Sequence, residues 1–226
     1  MAENVAYRTD VGPSTVLDLA KPQFGPQTNR PAILIIHGGG WSAGSKNDMV
    51  YRALMIDYAM KGYVVANMNY RRIQEAAPPA CIEDVQAAVR WMRENAQELG
   101  IDANRIGTFG HSAGGHLSLM AGLTTDVACA VGGAPVLYLV GGTSDVAWQN
   151  AQMDYEAIKR VLVVLADNTQ SGHGGTYEQP NGGANARMVR TWLDWQLKGH
   201  LEPKKLFLDG NLTGYDKWTI KQKNFK

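Results

Sequence analysis

The sequence predicts an α/β protein in which a mostly parallel central sheet carries helices on both faces. Two observations support this prediction. Short apolar runs alternate with longer amphipathic stretches along most of the chain, which is the order expected of a parallel sheet. Residues 32–36 are continuously apolar, as is typical of a strand that is buried on both faces. Because 226 residues suit one sizeable α/β domain, residues 1–226 are expected to form a single domain.

From residue 32 to residue 112, predicted strands and helices alternate regularly, after two short leading strands. Strands are predicted at residues 5–7, 15–19, 32–36, 63–66 and 105–109, and helices at residues 47–60 and 79–99. In the second helix the apolar residues recur at spacings of three and four, which makes one stripe: Ile82, Val85, Val89 and Met92.

The second half of the chain continues this alternation. Strands are predicted at residues 127–131, 135–140 and 161–165, and helices at residues 113–123, 149–159 and 184–197. The lysine-rich ending is expected to be a solvated tail; it contains Lys217, Lys221, Lys223 and Lys226.

The composition and the first residues of the chain indicate which kinds of partner and which cellular compartment to expect. A formal net charge of +1 gives no electrostatic reason to expect nucleic acid or an anionic membrane as the main partner. No run approaches the roughly 20 apolar residues of a membrane span. Cys81 and Cys129 are expected to be reduced thiols. The first residues lack signal-peptide character, so the chain is expected to be cytoplasmic if Met1 is native and secreted if a signal was removed. The oligomeric state stays open.

The pentapeptide Gly110-His111-Ser112-Ala113-Gly114 stands between a predicted strand and a predicted helix. A G-x-S-x-G in that position is the nucleophile elbow, a tight turn that exposes a serine hydroxyl. The turn excludes bulk two residues before and two residues after the serine, and both positions are glycine here. The sequence therefore predicts that Ser112 is a nucleophile.

A serine nucleophile needs a base, and the chain has five histidines. His37 and His111 lie inside glycine motifs, and His116 is on the helix after the elbow, where structural roles are expected. His200 lies among lysines and is expected at the surface. His173 follows the last apolar strand, at the carboxyl edge of the sheet, and is the predicted base.

The base needs a carboxylate that fixes its tautomer. Asp145 lies 28 residues before His173, which leaves room for one helix and one strand. Asp167 is the rival, although it would share a loop with His173; Asp154 and Asp126 fit ordinary surface positions. With Asp145 the chain order is serine, acid, histidine.

The segment His37-Gly38-Gly39-Gly40-Trp41 follows a buried strand, where a loop that binds an oxyanion is expected. Glycines allow the backbone to approach a ligand closely and to point amides at it. The predicted donors are the amides of Gly39, Gly40 and Ala113.

Four aromatic residues flank these motifs and are predicted to line the substrate site: Trp41, Tyr70, Trp148 and Tyr177. No cofactor or metal is expected. The phosphate-loop pattern is missing near Gly44, and there is neither an H-E-x-x-H nor a paired C-x-x-C motif.

With these motifs in place, the chain resembles the α/β-hydrolase superfamily, and within it the small carboxylesterases with an HGGGW oxyanion motif. The clearest stretches are residues 33–45, 69–71, 82–85 and 100–117, which look like the branch of acetyl and feruloyl esterases of plant polysaccharides and like hormone-sensitive-lipase-like enzymes. Residues 135–199 resemble a somewhat different group of α/β-hydrolases. The family's nucleophile, acid and base map onto Ser112, Asp145 and His173.

One departure from the family concerns the short connection of 33 residues from Ser112 to Asp145, where these esterases usually carry a further helix or a lid. It implies a compact fold with an open site that lacks a sizeable lid. The resulting hypothesis is a serine carboxylesterase for short-chain or aromatic esters, whose partner is a small-molecule or oligosaccharide ester. The alternatives are a formamidase-like serine peptidase or amidase on the same triad, and a hydrolase-fold protein that binds a ligand without turnover.

Overall fold

The structure is a computed structural model that describes residues 1–123, 135–210 and 212–224. Its internal contacts divide the chain into two units, Met1–Gly132 and Gly133–Lys226. The predicted strand at residues 127–131 and Cys129 lie outside the described residues, whereas Cys81 is a buried free thiol. The expectation of a single domain over residues 1–226 stays a prediction. No described helix is long and apolar enough to cross a membrane.

The first unit contains a mixed sheet of five strands. These are β1 (Ala2–Ala6), β2 (Val16–Ala20), β3 (Arg30–Ile36), β4 (Val64–Met68) and β5 (Ile101–Gly110), in the order β1-β2-β4-β3-β5. Strand β3 pairs in parallel with β4 and β5, whereas β2 is antiparallel to both β1 and β4. The parallel part thus coincides with the regular strand–helix alternation, and the two leading strands add an antiparallel edge.

Strand β3 explains how the first unit positions its loops. Its residues 32–36 are fully buried, as their continuous apolar character predicts. Ile36 at its carboxyl end is in register with Gly110 at the carboxyl end of β5. The glycine loop that follows β3 and the serine turn that follows β5 therefore begin side by side.

The helices of the first unit are α1 (Met49–Met60), α2 (Ala80–Glu94), α3 (Ala96–Leu99) and α4 (Ala113–Leu123). The single helix predicted at residues 79–99 is therefore interrupted at Asn95, whose side-chain amide donates to the Trp91 carbonyl at 2.8 Å. An asparagine that satisfies a backbone carbonyl in this way competes with the continuing helix. Val85, Val89 and Met92 are buried, as the apolar stripe predicts.

The second unit contains a sheet of three strands, in the order β6-β7-β8. The strands are β6 (Val136–Val140), β7 (Val163–Asn168) and β8 (Trp218–Lys223), and the helices are α5 (Trp148–Ala157), α6 (Gly183–Lys198) and α7 (Glu202–Leu208), with a short 3-10 helix at Pro180–Gly182. Strand β6 is parallel to β7, and β8 is antiparallel to it.

As far as residue 224, the lysine-rich ending is not the solvated tail that the sequence predicts, since residues 218–223 form β8 and Trp218 is buried; Lys226 lies outside the described residues. Lys221 and Lys223 lie within this strand, paired with Leu165 and Val163 of β7. Main-chain hydrogen bonds can hold a strand whose side chains are mostly polar, and lysines are common on strands at the edge of a sheet. A charge pattern alone therefore does not distinguish a tail from an edge strand.

Candidate active site

Ser112 occupies a strained turn between β5 and α4. Its φ is +55°, a left-handed conformation that costs a residue with a side chain about 1–3 kcal/mol, and its side chain is exposed. A Cβ on Gly110 would lie 2.2 Å from the carbonyl carbon of Gly114, and a Cβ on Gly114 would lie 2.1 Å from the Ile36 oxygen. Both glycines of the motif are therefore required by direct backbone contacts.

In the glycine loop beside this turn, the backbone amides of Gly39 and Gly40 are available to donate hydrogen bonds to a ligand. The N–H of Gly38 donates to the Tyr51 hydroxyl at 2.7 Å and is thus already used. Gly39 and Gly40 have positive φ values of +117° and +58°, and both are exposed. Within the described residues their amides donate no hydrogen bond. These two amides can serve an anion, because an unsatisfied N–H is a ready donor.

The glycine loop is in direct contact with the serine turn. A Cβ on Gly38 would lie 2.8 Å from the His111 carbonyl oxygen and 3.4 Å from its Nδ1. His111 therefore packs against the loop, which agrees with the structural role expected of it. Tyr51 of α1, which holds the Gly38 amide, belongs to no sequence motif, and nothing in the sequence signals its role.

His37 and Tyr70 form a buried support under the glycine loop. Their rings stack with centroids 4.3 Å apart, and the Tyr70 hydroxyl donates to the His37 carbonyl at 3.1 Å. Burial lowers the pKa of His37, so that its imidazole is neutral at neutral pH. Tyr70 is only 1% exposed, so this geometry corrects its predicted place in the substrate lining: it holds the loop from below.

Trp41 and His116 lie on the exposed side of the loop. Trp41 is 37% exposed, and its ring is nearly perpendicular to the His116 ring, with centroids 5.4 Å apart. Trp41 is thus accessible to a bound molecule, whereas His116 contributes an aromatic contact.

In the second unit, His173 and Asp145 are paired. Nδ1 of His173 lies 2.7 Å from Oδ1 of Asp145, whose side chain is 5% exposed against 33% for His173. Asp145 also accepts hydrogen bonds from the amides of Gly141 and Ala147. Burial raises the pKa of Asp145, but the hydrogen bonds from Ala147, His173 and Gly141 outweigh it and hold the pKa below its ordinary value. The carboxylate is therefore ionised beside the imidazole.

The rival carboxylate, Asp167, is engaged elsewhere. It accepts hydrogen bonds from the Gly142 amide at 2.7 Å and from the indole Nε1 of Trp148 at 3.0 Å. Asp167 thus fixes the loop that carries Asp145 and orients the half-buried Trp148. The structure pairs His173 with Asp145 and not with Asp167.

A buried amide anchors the loop that carries His173. Asn185, at the start of α6, is 4% exposed. Its side-chain Oδ1 accepts a hydrogen bond from Asn168 Nδ2 at 3.0 Å, and its backbone N–H donates to Thr176 Oγ1 at 2.9 Å. Sequence reasoning missed Asn185, since an asparagine in a first helical turn is common and gives no specific signal. Tyr177 follows Thr176 and is partly buried.

The predicted site residues are divided between the two units. The first unit holds six of them: Ser112, Ala113, Gly39, Gly40, Trp41 and Tyr70. The second unit holds the other four: Asp145, His173, Trp148 and Tyr177. Among the residues that the structure describes, no cluster of three or more His, Cys, Asp or Glu side chains could hold a metal ion. Apart from the corrected place of Tyr70, the roles of these residues stay predictions.

The family model described as BD-FAE matches residues 17–154 of this chain. The carboxylesterase NlhH of Mycobacterium tuberculosis is 42% identical over 113 residues, which are 49% of this chain and 33% of that protein. The chain thus spans about a third of the length of this curated relative.

Two solved structures are also similar. One is described as a truncated form of carbohydrate esterase from gut microbiota, with 39% identity, a TM-score of 0.50 and coverage of 54% of this chain and 42% of that chain. The other is Thermogutta terrifontis esterase 2, with 23% identity, a TM-score of 0.65 and coverage of 89% and 94%. The second likeness concerns the fold alone.

Proposed function

Since the chain belongs to the BD-FAE family of α/β-hydrolases, we propose that it is a serine carboxylesterase that works through an acyl-enzyme on Ser112. One observation carries the proposal: an exposed serine at φ +55° stands beside a loop with two exposed, uncommitted amides. A strained serine turn is maintained where the surrounding fold holds it, and its use is to present the hydroxyl. The similarity to the carboxylesterase NlhH supports the same chemistry.

In the proposed reaction, His173 takes the proton of the Ser112 hydroxyl as its oxygen attacks the ester carbonyl. His173 then gives that proton to the leaving alcohol, and water repeats the cycle on the acyl-enzyme. What supports His173 as the base is its bond to Asp145, because a carboxylate on Nδ1 leaves Nε2 as the proton acceptor. The amides of Gly39, Gly40 and Ala113 stabilise the oxyanion.

The proposed substrates are short-chain or aromatic esters, among them acetyl or feruloyl esters of plant polysaccharides. The likeness to a carbohydrate esterase supports an ester carried on a sugar. The 33 residues from Ser112 to Asp145 support an open site without a sizeable lid, where a long acyl chain would find little apolar surface to bury. The mostly parallel sheet is part of the same proposal, supported by the parallel pairs β3–β4, β3–β5 and β6–β7.

A fluorophosphonate probe tests the nucleophile directly. The purified protein is labelled and digested, and the modified peptide is mapped; the label is expected on Ser112 and is lost in Ser112→Ala. The exposed Ser144 provides a control, since Ser144→Ala should label like the wild type. Hydrolysis of p-nitrophenyl acetate by Ser112→Ala should fall about a millionfold. Equal hydrolysis by wild type and Ser112→Ala, above the uncatalysed rate, would refute the proposal, and faster cleavage of a matched anilide would favour an amidase.

A further inference from the structure

Lys46 is a lysine whose ammonium group is inside the protein. Its side chain is 2% exposed, and its Nζ lies 2.8 Å from Oδ1 of Asp18, whose side chain is 1% exposed. Lysine is almost never buried to this degree without a partner. A substrate cannot reach this ammonium, so the role of Lys46 has to be exerted within the protein.

The main chain of Lys46 is also fixed by hydrogen bonds. Its amide donates to Asn69 Oδ1 at 2.7 Å, and its carbonyl accepts from Asn67 Nδ2 at 2.7 Å. Asp18 of β2 and Asn67 of β4 are register partners on neighbouring antiparallel strands. Three separate attachments thus fix Lys46 to β2, to β4 and to the residue that follows β4.

Lys46 ends the glycine loop that begins at His37. The two arms of this loop press against each other: a Cβ on Gly44 would lie 2.3 Å from the Gly38 carbonyl oxygen and 2.8 Å from Nδ1 of His37. Any displacement of Lys46 therefore moves Gly44, and with it the backbone that leads to Gly39. Between the arms, Gly39, Gly40 and Trp41 all have positive φ. Such conformations persist only when the surroundings hold them.

We infer that Lys46, clamped by Asp18, is a positioning residue that holds the amides of Gly39 and Gly40 in the orientation that an oxyanion requires. The inference rests on the proposed esterase function. It differs from a general stabilising role, because it predicts an effect on turnover in a protein that is still folded. Oxyanion donors act through preset geometry, and a misplacement of about 1 Å is enough to lower a rate by roughly a hundredfold.

Because Lys46 and Asp18 are oppositely charged and buried together, a variant that tests the inference has to remove both charges. Among the described residues, Lys46 is the cation that contacts Asp18, and Oδ2 of Asp18 is buried without a hydrogen-bond partner. Lys46→Met alone leaves an uncompensated carboxylate in the interior, which is strongly destabilising. The double variant Lys46→Met/Asp18→Asn removes both charges, keeps the shape of the site and retains the backbone bonds of Lys46.

The experiment measures kcat and KM for p-nitrophenyl acetate and the Ki of an aryl trifluoromethyl ketone, whose adduct with a serine carries an oxyanion. Wild type, the double variant and Asp18→Asn are compared well below their melting temperatures, with Lys205→Met as the control because Lys205 is 62% exposed. The double variant should lose about tenfold to a hundredfold in kcat, with KM within about twofold, and its Ki should rise by the same factor.

If the folded double variant keeps the wild-type kcat and Ki, the clamp is only structural and the inference is overturned. A rise in KM at constant kcat overturns it as well. If the double variant does not fold, Asp18→Asn decides by the same criteria, at a temperature where circular dichroism shows it folded, with a smaller expected loss of threefold to tenfold. Its Lys46 ammonium loses the counter-charge, which lowers stability, but keeps the oxygens of residue 18 and of Asn47 as acceptors. Failure of the proposed esterase function can be told apart from failure of this inference, because the wild type itself would then neither hydrolyse the ester nor bind the ketone.

Discussion

The backbone of Gly141 touches the backbone of Gly172. A Cβ on Gly141 would lie 1.9 Å from the Gly172 carbonyl oxygen, and the Gly172 amide donates to the Gly141 carbonyl at 2.9 Å. Gly141 opens the loop that carries Asp145, and Gly172 precedes His173. Asp145 and His173 are therefore brought together by a glycine contact as well as by their own hydrogen bond.

Gly141→Ala is expected to force these two loops apart. The new methyl group meets backbone and not a flexible side chain, so the free energy of unfolding should fall by about 1–3 kcal/mol. The hydrolysis of p-nitrophenyl acetate should fall by about a hundredfold, because the imidazole is displaced. Urea unfolding and ester kinetics measure the two effects. Gly174→Ala is the matched control, since its Cβ would meet nothing within 4 Å in the part of the chain that the structure describes; a similar loss in both variants would contradict the expected displacement.

Asp145→Asn and Asp167→Asn are expected to differ greatly in activity. An asparagine at position 145 can no longer fix the imidazole tautomer, so kcat should fall by about ten thousandfold. At position 167 an amide oxygen can still accept from Gly142, and only the bond from Trp148 is disturbed, so the loss should stay within about tenfold. Steady-state kinetics on purified variants decide, and a larger loss in Asp167→Asn would reverse the assignment of the acid.

The lowered pKa of Asp145 predicts a pH dependence of stability. A carboxylate whose pKa is lower in the folded protein stabilises it fully above the unfolded value of 3.8, and this contribution is lost as the pH falls through the lower folded value. The stability advantage of wild type over Asp145→Asn should therefore be constant near neutral pH and shrink below about 3.8. Urea unfolding at a series of pH values measures it. An advantage that grows on acidification would contradict the lowered pKa.

Gly114→Ala and Gly122→Ala test the serine turn from within one helix. The methyl group on residue 114 would lie 2.1 Å from the Ile36 oxygen, whereas that on residue 122 would meet no atom of the described residues within 4 Å. Gly114→Ala should lower the melting temperature and abolish fluorophosphonate labelling of Ser112. Gly122→Ala should be neutral or stabilise the fold by up to about 1 kcal/mol, since alanine is the better helix former. Wild-type labelling of Gly114→Ala would show that the turn tolerates bulk.

The elements that were predicted correctly depend on neighbouring residues, whereas those that were missed depend on contacts that a local pattern does not show. The strand at residues 32–36 and the stripe of α2 are local patterns. The strand has the predicted burial, as do Val85, Val89 and Met92 of the stripe, whereas Ile82 is only partly buried. The break at Asn95, the helix at residues 202–208 and the strand at residues 218–223 were not predicted. The break at Asn95 depends on a side-chain hydrogen bond and the strand at residues 218–223 depends on its partner β7, and the local pattern encodes neither.

The sequence by itself determined the features that depend on local spacing. These are a buried strand followed by a G-x-S-x-G turn around Ser112, and a glycine loop after another buried strand. Only the tertiary structure decided which carboxylate pairs with His173, that Tyr51 uses the Gly38 amide, and that Lys46 is buried against Asp18. These are contacts between segments distant in the chain. They depend on strand register and on the burial of charge, and neither quantity can be read from neighbouring residues.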